Sequence, residues 1–442
     1  MDIFRKTYSL GDFHPEISYG QQPKTKIFIK QGNINCFKTF QPFHYSTDQI
    51  IWKSWNDTKI PFFFDKENTQ IFQKIDNQWI INFDLIASSF YLLSGWQEYF
   101  SKNRDEYGRF RFEESCQKTL GLTHIPVVNY YFDILKTVIE KAYQVKINTP
   151  KWDQKDFAVC LTHDIDTCQS AWLEGSFSAI KKKNFLTPVR LITKKIINKD
   201  AWFNFSEIID IEKQFHANST FFFIPNHQKK LGIKNADYHI SDPKIKSVFN
   251  LLLDQGYEIG LHGSTGTHLN ERSFLQDIRA LKIPIRGNRF HFLLYDSTST
   301  PSILDNSGLL YDSSLGFAEQ YGFRNSFCFP FKPYDITHDR PFAFFEVPLV
   351  IMDGTLQKYL NLSPVNCVEV VNKIIKEVKK FGGCFTVLWH NTHFSEYKYP
   401  GWKKGYIGIL EHCTRENGLL NKIDYILNLY INDKYHLSKT TK

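Results

Sequence analysis

Between residues 25 and 83, short apolar pieces alternate with polar turns that carry Asn and Gly. The pieces are Lys26 to Ile29, Ile60 to Phe64 and Trp79 to Phe83, and this alternation predicts a small sheet. Asp84 then opens a different pattern. In LIASSFYLLSGWQEYF, Leu85, Ile86, Phe90, Leu93 and Trp96 recur at helical spacing behind an acidic cap, which predicts a buried helix. A second helix is expected over 128–142. The stretch NTPKWDQKD (148–156) breaks the pattern with a proline and a polar run. A domain boundary is placed there, giving a smaller α+β domain over 1–150 and a second domain over 151–442.

Beyond the break, apolar strands alternate with helices. They are FAVCLT (157–162), STFFFIP (219–225), YEIGLH (257–262), a piece near 283–286, FFEVPLV (344–350) and CFTVLWH (384–390). Strands apolar on both faces imply a mainly parallel sheet or barrel covered on its outer face, an α/β architecture. The best-defined helix runs from Ser363 to Phe381, with Ser363 as N-cap, Pro364 at the first helical position and Gly382 as stop. No internal repeat is visible, and the last residues, LSKTTK, read as a frayed end.

Composition narrows the class. The 442 residues suit two or three domains, and 42% apolar with 23% charged residues excludes collagen-like and wholly disordered chains. Aromatic residues reach 16%, with 40 Phe, which argues first for densely packed cores. The net charge of +8 is diffuse, the longest cluster being Lys181, Lys182 and Lys183. It leaves room for peripheral contact with an anionic membrane or a nucleotide-linked substrate, and nothing supports a nucleic-acid site. Eight cysteines without a C-x-x-C pair read as reduced core thiols. With no apolar segment of secretory or spanning length, the cytoplasm is the default location.

Ligand groups gather at the carboxyl ends of parallel strands. Three such ends carry ionisable residues: Thr162-His163-Asp164-Ile165-Asp166, Glu258-Ile259-Gly260-Leu261-His262-Gly263 and Leu388-Trp389-His390. Two carboxylates two residues apart repel unless a cation or a basic partner separates their roles. One can then hold a divalent metal while the other takes a proton from water. A lone D-x-D pair more often caps and solvates, and a lone strand-end His is more often structural. Their convergence on one rim is what points to chemistry.

In this order the residues resemble the polysaccharide deacetylases of carbohydrate esterase family four, metal-dependent amide hydrolases on a distorted, incomplete (β/α) barrel. The resemblance covers about 157–395. THDID matches the separated form of the first family motif and implies Asp164 as general base and Asp166 as metal ligand. HGSTGTH matches the second, implying His262 as a ligand with His268 beside it. The usual offset of four falls on Gly266, so either a longer loop brings His268 to the metal or the second imidazole is missing. NRFHF supplies the arginine that pairs with the base, Arg289, with His291 following and Arg286 as a rival. YDSSLGF and GFRNSFCFPFKPYD resemble the segment that shapes the substrate groove, offering Arg324, Phe331 and Tyr334. Leu388-Trp389-His390 matches the final motif, implying His390 as general acid with Trp389 next to the substrate. Residues 84–112 resemble the domain that precedes the barrel in a subset of bacterial members, where Trp96, Glu98 and Arg109 serve either packing or substrate choice.

The resemblance implies a divalent metal, zinc first, and removal of N-acetyl groups from an amino-sugar glycan or its carrier-linked precursor. Two rivals remain. One is hydrolysis of a non-sugar amide or cyclic ureide on the same scaffold. The other is a catalytically silent glycan-binding protein, motivated by the spacing of His262 and His268.

Overall fold

A computed structural model describes residues 1–181, 183–196, 200–230 and 232–432; LSKTTK lies outside them. In the N-terminal part, Asp84 caps helix α1 (Leu85–Leu93) by accepting the Ala87 N–H at 2.8 Å. Gly95 turns left-handed (φ 65°) before α2 (Trp96–Phe100), and α3 spans Val127–Tyr143. The expected sheet forms with different membership. Ile27–Lys30 lies between Ile17–Gly20 and Gln78–Ile81, with Phe72–Ile75 at the edge. Thr58–Phe62 instead pairs with Ile51–Trp55 in a separate hairpin. Its two turn residues, Asn56 and Asp57, both have positive φ, the conformation that matches strand twist and closes a hairpin locally.

The second part is a curled, parallel sheet. Its strands are β1 (Phe157–Ile165), β2 (Thr220–Phe223), β3 (Glu258–Gly263), β4 (Gly287–Phe290), β5 (Tyr311–Asp312), β6 (Phe345–Glu346), β7 (Ile351–Met352), β8 (Cys384–Leu388) and β9 (Gly418–Asn421). They pair in the order β6-β5-β4-β3-β2-β1-β8-β7, with β9 also on β1. This is an incomplete (β/α) barrel preceded by a smaller N-terminal region. The strand expected near 283–286 begins later, at Gly287. Pro284 offers no ladder N–H, and a Cβ at 287 would collide with the Tyr311 ring. Of FFEVPLV only Phe345–Glu346 is a strand, ending before Pro348, and the next strand, Ile351–Met352, begins just beyond the stretch. β6 pairs with β5 and β7 with β8, so one short segment ties both edges of the sheet and imposes its curl.

Helices α4 (Ala171–Lys181), α5 (Leu186–Ile196), α6 (Phe205–Lys213), α7 (Pro243–Asp254), α8 (Glu271–Ala280), α9 (Thr300–Ser307), α10 (Pro364–Phe381), α11 (Trp402–Arg415) and α12 (Ile423–Ile431) follow the strands. Gly382, left-handed at φ 65°, stops α10 as expected, while Ser363 makes no side-chain cap bond. Among the described residues, no helix is long and apolar enough to cross a membrane.

One hydrophobic cluster runs through both parts, from Phe4, Leu92 and Tyr131 to Phe157, Leu161 and Phe385. Polar contacts stitch the seam: Gln117 Nε2 donates to the Arg324 carbonyl at 2.7 Å, and Val128 N–H to the Ser326 carbonyl at 3.0 Å. The sequence break at 148–156 therefore sits on a shared core.

Candidate metal centre and active site

β1 is buried along its whole length and delivers Asp164 and Asp166 to the rim. Beside it, β3 carries His262, and β4 carries Arg289 with His291 just beyond its end. The parallel register sets Arg289 opposite His262 and Phe290 opposite Gly263, which brings His291 against His262. Asp166, His262 and His291 form a group that can hold a metal ion.

The donor atoms fit a cation closely. Asp166 Oδ1 stands 3.2 Å from His262 Nε2 and 3.3 Å from His291 Nδ1, and the two ring nitrogens are 3.3 Å apart. Ligand atoms around a tetrahedral centre at about 2.0–2.1 Å are separated by about 3.3–3.4 Å. The protons fit as well. His262 Nδ1 donates to the Arg289 carbonyl (2.7 Å) and His291 Nε2 to the Lys234 carbonyl (3.1 Å). A carbonyl can only accept, so in the neutral rings the lone pairs face one another and Asp166. Asp166 Oδ1 is buried without a hydrogen bond of good geometry among the described residues. Burial opposes charge on both sides, yet the neighbouring imidazoles hold the Asp166 carboxyl well below its usual range, and Asp164 and Asp166 raise the His262 ring.

Asp164 belongs to a second set of contacts. Arg289 is fully enclosed and donates to Asp164 Oδ1 (3.0 Å), Thr162 Oγ1 (2.7 Å), the Ser313 carbonyl (2.8 Å) and Ser313 Oγ (2.9 Å). Its guanidinium also lies 4.7 Å from the Phe222 ring centre. Such a fork fixes one carboxylate oxygen and leaves the other, Oδ2, directed toward His262 Nε2 at 3.6 Å. Arg286, the rival, is instead paired with Asp424 at 2.6 Å, away from Asp164.

His390 follows β8 and faces the group from the other side, Nε2 lying 3.7 Å from Asp166 Oδ2. Its Nδ1 donates to Asp353 Oδ1 (2.7 Å), and its backbone N–H to Oδ2 (2.6 Å). Burial works against charge here too, but the Asp353 carboxylate prevails and pushes the His390 ring up to about 10. Asp353 also accepts from Gly354 N–H (2.6 Å) and His393 Nδ1 (3.0 Å). Asp353, His390 and His393 are close enough to hold a metal. However, both imidazoles turn a proton-bearing Nδ1 to the carboxylate, which makes Asp353 an orienting partner. Sequence reasoning missed Asp353 and the role of His291. The spacing R-x-H, which puts Arg289 and His291 on one side of an extended chain, was the available signal for the latter.

Comparison with protein families finds a match to a family of unknown function (DUF7033) over residues 4–144. Comparison with curated proteins gives no match. Among solved structures, the chain is similar to a Mycobacterium smegmatis protein provisionally described as a polysaccharide deacetylase, with 17% identity, TM-score 0.43, and 67% of this chain and 99% of that one covered. It is also similar to a variant of the peptidoglycan deacetylase PdaC from Bacillus subtilis (10% identity, TM-score 0.31, 66% and 96% covered). A third likeness is a family-four carbohydrate esterase pseudoenzyme from Bacillus anthracis (11%, 0.30, 61% and 65%). The chemistry of this chain stands on its own side chains.

Four residues expected at the site stand differently. His268 lies outside the metal group, on the turn Thr267–Leu269, its ring edge-on to Phe290 at 6.1 Å; burial pushes it down to about 4. The loop after His262 does not carry it back to the rim, and His291 takes that corner. Arg324 is buried, and its fork is filled by Glu98 of α2 at 2.7 and 2.8 Å and by the Gly316 carbonyl at 3.0 Å. Trp389 is wholly buried against Trp402 and Tyr406. Tyr334 is half-buried against Phe90, its hydroxyl bonded to Asp339. An apolar cavity of about 570 Å³ lined by Ile3, Phe90, Phe331 and Tyr334 lies at that seam, apart from the ionisable groups. Arg109, from the N-terminal part, donates to the carbonyl of Phe292 at 3.0 Å and so braces the segment that presents His291.

Proposed function

We propose that this protein is a metal-dependent hydrolase that removes N-acetyl groups from an amino-sugar glycan or a carrier-linked precursor of one. The observation that carries this reading is the arrangement of Asp166, His262 and His291, whose lone pairs converge at tetrahedral separations between Asp164 and His390. The ordered likeness of THDID, HGS, R-x-H and L-W-H to the family-four deacetylases supports it. His291, beside Asp166 and His262, supports a complete ligand set in place of the spacing of His262 and His268.

Asp166 Oδ1, His262 Nε2 and His291 Nδ1 would hold the ion, with zinc the first candidate for an Asp-His-His set. When bound, such an ion acidifies water and polarises an acyl oxygen. The remaining work falls to the chain. Asp164, steadied by Arg289, accepts the proton of the attacking water. His390, charged through Asp353, donates from Nε2 to the amide nitrogen as the C–N bond breaks, giving acetate and a free amine. Eight free cysteines, seven of them buried, suit a reducing compartment and hence a cytoplasmic location.

The test is metal content measured beside acetate release from N-acetylglucosamine oligomers. About one ion per wild-type chain, absent from His262→Ala and His291→Ala but retained in His268→Ala, is expected. A wild-type protein that takes up no divalent ion under any loading condition would overturn the reading.

A further inference from the structure

The hairpin of α4 and α5 is packed inside out. On α4, small residues face inward, with Ala171, Gly175 and Ala179 buried, while Leu173, Phe177 and Ile180 face water. On α5, Leu191 is buried, while Leu186, Val189 and Ile196 are 84%, 63% and 74% exposed. A helix on a globular surface normally turns its apolar stripe to the core. Here the stripe of each helix points the other way, at helical spacing, and Phe185 extends it across the connecting turn at 68% exposure. Large apolar side chains exposed together along both helices mark an interaction site.

The charge says what covers it. From Gly175 to Ile196 the sequence holds six cations (Lys181, Lys182, Lys183, Arg190, Lys194, Lys195) and no acidic residue. Lys181 and Arg190 are exposed, and Lys181 Nζ sits 4.6 Å from the Phe177 ring centre, so cation and apolar groups share one face. A second copy is a poor occupant. A two-fold interface lays a patch against itself and would oppose the exposed Lys181, Lys183 and Arg190 with the same three cations of the other copy. Rings and aliphatic groups interleaved with lysine and arginine suit the boundary of an anionic bilayer, where apolar groups enter the acyl region and cations remain at the headgroups.

We infer that the hairpin 171–196 docks this protein on membranes that carry anionic phospholipid. The surface adjoins the rim. α4 starts directly after the loop that carries Asp166. Glu174 binds Lys398 at 3.1 Å, in the segment that follows His390. The docking does not depend on the hydrolase reading, and its test reads binding, not turnover.

The experiment is flotation of the full chain with vesicles of phosphatidylcholine plus phosphatidylglycerol, against phosphatidylcholine alone. Wild type should bind the mixed vesicles and be partly released by salt. Phe177→Ser with Leu186→Ser and Val189→Ser should abolish binding, with an unchanged thermal midpoint because every position is exposed. Lys181→Ala with Lys183→Ala and Arg190→Ala should weaken it by about 100-fold. Failure of wild type to bind the anionic vesicles, or wild-type binding by the apolar variant, overturns the inference. A concentration-dependent dimer that the apolar variant dissociates, without vesicle binding, would overturn it in favour of a contact between copies.

Discussion

Arg289 is wholly enclosed and donates to four acceptors, whereas Leu186, in the hairpin that leaves the same rim, keeps 84% of its surface in water. The barrel rim takes charges inside and partners nearly all of them. The hairpin puts large apolar groups outside and leaves them uncovered. Both break the ordinary partition of polar and apolar groups. In the rim the departure is compensated within the fold, by Arg289 on Asp164 and by Asp353 on His390. In the hairpin no described residue supplies it, which is why the inferred compensation is a partner outside the chain. That difference separates the site proposed for chemistry from the surface inferred to meet a partner.

Breaking the rim should have the largest effects. His291→Ala should lose both the bound ion and acetate release, whereas His268→Ala should keep both, as elemental analysis beside an activity assay will tell. Next comes Asp164→Asn, expected to cost about 10²–10⁴ in rate with the ion retained; full activity would remove Asp164 from the role of base. Glu98→Ala leaves Arg324 buried without its partner and should cost about 3–5 kcal/mol, read from the urea midpoint.

A subtler effect concerns Asp312 and Glu346, buried together at the ends of β5 and β6. Burial pushes the Asp312 carboxyl up to about 6, and burial with the neighbouring Asp312 pushes Glu346 well above its usual range. In the unfolded chain such groups ionise near ~4. Below that pH both states hold the protons and the pair's contribution is fully present. As pH rises through about 6, the unfolded chain has released protons that the fold still retains, so stability falls. The thermal midpoint of Glu346→Gln should therefore fall less than that of wild type over this window. The smallest effect sharpens the contrast from the other side. Serine at Phe177, Leu186 and Val189 should leave stability within about 0.5 kcal/mol per site, because little packing is lost from side chains that are mostly in water.

The parts legible in the sequence were those encoded locally. The apolar strands at 157–162, 219–225, 257–262 and 384–390, the Asp84 cap and the Gly382 stop appear where expected, and THDID and LWH each place their residues within one strand end. What the sequence concealed was register. His268 is near His262 along the chain but not in space. His291 is distant along the chain, and becomes a neighbour because β4 lies beside β3 with Arg289 opposite His262. Asp353 was hidden in the same way, since pairing of Met352 with Leu388 on a two-residue strand sets it beside His390. The fates of Arg324 and Trp389 were invisible because burial by another part of the chain leaves no trace in a motif.

The bond between Glu98 and Arg324 also bears on inheritance. A descendant that lost the first 150 residues would turn to water the barrel face they cover, Arg324 together with the apolar side chains of the shared core, and would need several substitutions there before the truncated form could persist. The two parts are thus bound as a genetic unit. Relatives that lack the first should show polar residues where this barrel presents apolar ones to its N-terminal part, a pattern that sequences alone can reveal.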